Sequence, residues 1–150
     1  MHSLLLIEDQ SDDIALACDA IEEVEDRSKI DIQLAICRNG EEAQIYLLNP
    51  KTPLPDVILL DLNMPRLDGH GFLEWIKAQP LLAAIPVVIL TTSVHSSDIV
   101  RAYKNHCAAY LAKPITYDRF VVLVQRFSLF WFSDVTLPGV PPHDHSNFSD

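Results

Sequence analysis

The chain is poor in cysteine and in positive charge, and it holds no apolar run of membrane length. Its three cysteines, Cys18, Cys37 and Cys107, are odd in number, far apart, and form no CxxC or metal-ligand pairing. That excludes a disulfide framework and a thiolate metal centre, and it leaves three thiols expected to be buried in a reducing cytoplasm. Against 21 Asp and Glu stand only 11 Lys and Arg, a formal charge of −10. Without a basic patch to neutralise a phosphate backbone, unaided nucleic-acid binding is excluded. Only residues 4–7 are apolar between His2-Ser3 and Glu8, far too few for a signal peptide or a membrane span. The expectation is a soluble cytoplasmic protein with no membrane attachment.

What is present fits one globular domain. Of 150 residues, 49% are hydrophobic and 21% charged, enough for a real core and too little for two comfortable ones. The chain is organised around residues 56–65, where Asp56 leads into Val57-Ile58-Leu59-Leu60 and then Asp61, before Pro65, Asp68 and Gly69 break the pattern. Such a continuous apolar run reads as a strand buried on both faces. Asp61 then stands at its carboxyl end, where open α/β sheets bind ligands.

Residues 4–7 and 86–90 repeat that pattern, and 109–112 give a further short strand. In 30–36 strict alternation replaces it, as expected of an edge strand with one wetter face. Helical spacing links them. Ser11, Asp12 and Asp13 open a helix that runs to about residue 28, Asn39 and Gly40 open a second, Phe72, Leu73, Trp75 and Ile76 mark a third that Pro80 stops, and residues 98–106 and 116–132 carry two more. Strand and helix alternate five times with short links, which predicts an α/β, doubly wound, five-stranded parallel sheet with five helices. Residues 1–132 form the domain. The proline-broken extension 133–150 is expected to be mobile for much of its length, with His143 and His145 solvated more readily than paired on a metal.

The strand ends then gather Glu8, Asp9, Asp61, Thr91 and Lys113. Three carboxylates within about 4 to 6 Å repel each other by up to ~4 kcal/mol per pair at an effective dielectric near 20. A divalent cation removes that penalty, and few oxygen ligands with open positions suit Mg²⁺. An aspartate beside Mg²⁺ can attack phosphorus. A positioned ammonium, Lys113, and a hydroxyl, Thr91, would neutralise and hydrogen-bond the transferred group.

In these residues the sequence resembles the response-regulator receiver domain of two-component signalling. The matching set is Glu8-Asp9, Asp61 with Met64-Pro65 and Asp68-Gly69 behind it, Thr91, and Lys113-Pro114. The resemblance implies the flavodoxin-like strand order 2-1-3-4-5 and makes Asp61 the phosphoacceptor from a histidine kinase. It also implies Mg²⁺ held by Asp9, Asp61 and the main-chain carbonyl of Asn63, with Glu8 acting through water. The Lys113-Pro114 bond would be cis, and Tyr110 would be the aromatic switch that responds to Thr91. An ordinary edge-strand aromatic is the alternative for Tyr110.

Residues 120–132 contain only Gln125, Arg126 and Ser128 as polar positions, so this helix cannot keep a broad polar side. Its surplus apolar surface, with Phe127, Phe130 and Trp131, is expected to meet another protein chain, or to be covered by the extension. The closing 130–138 is similar to single-domain regulators of the Rcp type that partner phytochrome-type histidine kinases. That likeness implies a homodimer through the fourth helix, fifth strand and fifth helix. An aspartyl-phosphate hydrolase of the haloacid dehalogenase type would need an acid two positions after the nucleophile, where this chain has Asn63. A flavin-binding protein would need a phosphate loop where Glu8-Asp9 would repel it. A phosphorylation-independent interaction module on the same fold is the remaining competitor.

Overall fold

The computed structural model describes residues 1–138 of the chain. Five parallel strands, β1 (His2–Ile7), β2 (Ile32–Cys37), β3 (Val57–Leu60), β4 (Val87–Thr91) and β5 (Ala109–Ala112), lie in the order β2-β1-β3-β4-β5. Between and after them run α1 (Ser11–Ser28), α2 (Gly40–Leu48), α3 (Gly69–Lys77), α4 (Ser96–Lys104) and α5 (Tyr117–Leu129). The expected fold class and strand order are therefore both observed.

The alternation of side chains along each strand explains the two cores. Leu5, Ile7, Ile58, Leu60 and Ile89 point to one face, where Phe72, Leu73 and Ile76 of α3 cover them. Leu4, Leu6, Val57, Leu59 and Val88 point to the other, against Ala20 and Val24 of α1 and Phe120 and Val124 of α5. Apolar groups are needed on both faces of β1, β3 and β4, so these runs are continuous. β2 lies at an edge and keeps Gln33 exposed.

Helix starts follow local chemistry. Asn39 and Asp68 accept from the backbone of Glu42 and Gly71, each at 2.8 Å, and Thr116 accepts from Arg119 at 3.4 Å, satisfying amides that the helix leaves unpaired. At α1 the cap position is Gln10, without a side-chain bond, while Asp12 and Asp13 occupy the first turn. Helix α4 begins two residues earlier than its apolar spacing suggests, and His106 has left the helix with φ 67°. The helical pattern of 116–132 also divides: α5 ends at Leu129 and a π-helical turn, Phe130–Asp134, follows. That turn brings Phe132 onto the ring of His2, with centroids 4.9 Å apart. Among the described residues no helix is long and apolar enough to cross a membrane. The expectations for the extension beyond Pro138, including His143 and His145, lie outside the described residues.

Candidate functional site

Register places the chemistry. Ile7 pairs with Leu60, Leu60 with Ile89, and Thr91 with Ala112, so the residues after each strand emerge side by side. The amide of Asp61 donates to the carbonyl of Ile7 at 3.0 Å, and that of Lys113 to the carbonyl of Thr91 at 2.8 Å. Behind Asp61 the chain turns closely: a Cβ on Gly69 would lie 2.4 Å from the Asp61 carbonyl oxygen. Only a residue without a side chain fits there.

Glu8, Asp9 and Asp61 offer carboxylate oxygens that all lie within 4.8 Å of one another. Glu8 and Asp61 are buried, at 2% and 5% exposure. The ammonium of Lys113 lies 2.5 Å from Glu8 Oε1, 2.9 Å from Asp13 Oδ2 and 3.7 Å from Asp61 Oδ2. Burial raises the Glu8 carboxyl to about 7, with the charge of Asp61 adding to the rise and Lys113 opposing it. Burial also pulls Lys113 down, but its hydrogen bonds to Glu8 and Asp13 and the charges of Asp61 and Glu8 outweigh that and raise it. One ammonium among four carboxylates, those of Glu8, Asp9, Asp13 and Asp61, leaves surplus negative charge in a partly dry setting, which is costly without a further cation.

One atom of the pocket lacks a partner. Asp9 Oδ1 is buried and has no hydrogen-bond partner, a state that costs a charged group more than the ~1 to 3 kcal/mol of a neutral one. Oxygen donors alone suit a hard divalent ion, so the residues present fit a metal of this class.

Thr91 is fully buried at the end of β4. Its Oγ1 lies 3.5 Å from both the Asn63 side-chain nitrogen and the Ser93 amide. The Asn63 amide reaches Asp61 Oδ1 at 3.4 Å. Tyr110 is half-buried, and its hydroxyl donates to the Ser93 carbonyl at 2.8 Å. Asp13 joins this group without a sequence motif to announce it; its only signal is its place in the first turn of the helix that follows Glu8-Asp9.

Two expectations need correction. No peptide bond among the described residues is cis, so Lys113-Pro114 is trans. The isomers of an X-Pro bond differ by only about 0.5–1 kcal/mol, and the bonds that fix Lys113 are compatible with the trans form. Phe127 does not line an outer face: it is 5% exposed and meets Phe132 edge-on at 6.1 Å. Its spacing from Phe120 and Val124 puts it on the inner stripe of α5. Phe130, at 53% exposure, faces outward, whereas Trp131 packs partly against the core and edge-on to Phe130.

Comparison with known proteins agrees with this geometry. Residues 4–125 match the family model for the response regulator receiver domain. Response regulator Rcp1 of Synechocystis sp. is 40% identical over 140 residues, covering 91% of this chain and 92% of that protein. The probable methanogenesis regulatory protein FilR2 of Methanothrix harundinacea is 36% identical over 139 residues, covering 91% of this chain and 87% of that protein. Among solved structures, the Mn²⁺-bound form of Rcp1 aligns with a TM-score of 0.84 at 38% identity, over 93% of this chain and 100% of that one. The phosphorylated cyanobacterial phytochrome response regulator RcpA aligns with a TM-score of 0.84 at 36% identity, over the same shares. With its sheet order, its acidic pocket and its lysine all in place, the chain belongs to the response-regulator receiver-domain family.

Proposed function

We propose that Asp61 accepts a phosphoryl group from a histidine kinase of the phytochrome type, in the cytoplasm, and that residues 1–132 act as the receiver with 133–150 as an extension. The observation that carries this reading is the unpartnered, buried Oδ1 of Asp9 beside Asp61 and Lys113. Mg²⁺ held by Asp9, Asp61 and the Asn63 carbonyl, with Glu8 acting through water, would neutralise the incoming phosphoryl oxygens. An Asp61 carboxylate oxygen attacks phosphorus as the bond from phosphorus to the donor imidazole nitrogen breaks, and that nitrogen keeps the electron pair. Lys113 balances charge on the transferred group and Thr91 donates a hydrogen bond to it. Acetyl phosphate serves as donor in the absence of a kinase.

Output follows from Thr91. Drawing its hydroxyl toward the phosphoryl oxygens shifts Ser93, two residues on, whose carbonyl holds Tyr110. The surface of α4, β5 and α5 then changes shape. That surface, with Phe130 exposed and Trp131 beside it, forms a homodimer contact in this reading.

Intact-mass measurement with acetyl phosphate and Mg²⁺ tests the proposal. The wild-type chain should gain one phosphoryl group and Asp61→Asn none; equal labelling of both would end it.

A further inference from the structure

Lys113 is held by two elements with different roles, and the less obvious one is α1. Its ammonium has three protons. Glu8 Oε1 and Asp13 Oδ2 lie within hydrogen-bonding distance, at 2.5 and 2.9 Å, while Asp61 Oδ2 stays outside it at 3.7 Å. Glu8 comes from the end of β1. Asp13 comes from the first turn of α1, and among the described residues Lys113 is its only ion-pair partner. The Asp13 side chain is 32% exposed, against 8% for Lys113 and 6% for Asp61. It therefore meets the ammonium from the more exposed side of the pocket.

We propose that Asp13 is a positioning residue that parks the Lys113 ammonium clear of Asp61 until a phosphoryl group arrives; this rests on Asp61 being the phosphoacceptor. A charge-assisted hydrogen bond from Lys113 to Asp61 would occupy a lone pair that both the metal and phosphorus need. It would also set a positive charge against an entering cation. With Asp13 in place, Asp61 remains open, and a phosphoryl group adds oxygens in the gap that separates it from Lys113. No large movement of the lysine is then required. Without Asp13, the nearest remaining acceptor for the freed proton is Asp61 itself.

A double-mutant cycle on Mg²⁺ affinity, read by calorimetry, separates this role from that of a plain negative charge. Asp13→Ala, which leaves no side-chain acceptor at that position, should weaken Mg²⁺ binding about tenfold in the presence of Lys113, the scale of one charge-assisted hydrogen bond. In a Lys113→Met background the same change should weaken it by less than about threefold, the residue of a screened charge. Equal losses in both backgrounds, or none in either, overturn the proposal. A crystal structure of the metal-free Asp13→Ala chain gives a second reading: the Lys113 Nζ to Asp61 separation should close from 3.7 Å to about 2.8 Å, and an unchanged separation overturns the proposal too. That measurement needs neither metal nor phosphate. It still decides the role of Asp13 if the wild-type chain takes no label from acetyl phosphate, a result that would remove the phosphoacceptor reading instead.

Discussion

His70, in the first turn of α3, closes on Asp98, in the first turn of α4, with Nε2 3.0 Å from Oδ1. The other Asp98 oxygen accepts from the Ser93 hydroxyl at 2.6 Å, and the Ser93 carbonyl accepts from Tyr110 at 2.8 Å. A continuous chain of hydrogen bonds thus runs from α3 across the loop behind Thr91 to β5. The imidazole is buried, and its Nδ1 has no partner. The loop behind Thr91 is therefore fastened at Asp98 and at Tyr110.

Removing the Tyr110 hydroxyl should loosen that fastening. Tyr110→Phe is expected to lose about 1 kcal/mol of stability, the net value of one hydrogen bond, measured by urea denaturation. Tyr110→Ala should still accept phosphate yet lose the phosphorylation-dependent change at α4, followed through amide chemical shifts. Normal switching in that variant would refute the coupling.

Acid should release the Asp98 clasp. The Ser93 hydroxyl first, and His70 after it, hold the Asp98 carboxyl below its ordinary value of 3.8. A lowered carboxyl contributes stability that is present above 3.8 and lost as pH falls through the folded value. The stability difference between wild type and Asp98→Asn should narrow on acidification below 3.8, as read from urea midpoints; a constant difference would contradict it.

Glu8 has the opposite sign. Burial raises it from 4.5 to about 7, so in the metal-free chain its contribution is fully present below 4.5 and lost as pH rises through about 7. Metal binding favours the ionised form and offsets that loss. In chelator, thermal midpoints should fall between pH 4.5 and about 7 more steeply for wild type than for Glu8→Gln, and added Mg²⁺ should flatten the wild-type profile.

Phe127 and Phe130 lie three residues apart and should respond differently. Phe127→Ala opens a hole in the core beneath α5 and should cost about 3–5 kcal/mol. Phe130→Glu, at a half-exposed site, should change stability by less than about 0.5 kcal/mol. Sedimentation at micromolar concentration should show the dimer in wild type and the monomer in Phe130→Glu. A monomeric wild type would remove the dimer from the proposal.

The sheet was legible because each strand carries its own signature: continuous where both faces are covered, as in 57–60, and alternating where one is wet, as in 32–37. The acidic pocket was legible for the same reason, since Asp61 and Thr91 sit where apolar runs stop. The networks were not. Asp13 and Asp98 look like any acids in the first turn of a helix, where they suit the helix dipole, and only tertiary placement turns one toward Lys113 and the other toward His70. The inward turn of Phe127 was hidden too, because α5 is apolar on most sides and its composition does not mark which side faces the sheet.

The stacking of His2 on Phe132 has a practical bearing on anyone who would isolate this protein. The two ends of the described body meet at that clasp, and β1, which delivers Glu8 and Asp9, is buckled there to the last described helical turn. An affinity handle fused ahead of Met1 would enter beside that clasp, at the end of β1 opposite Glu8 and Asp9.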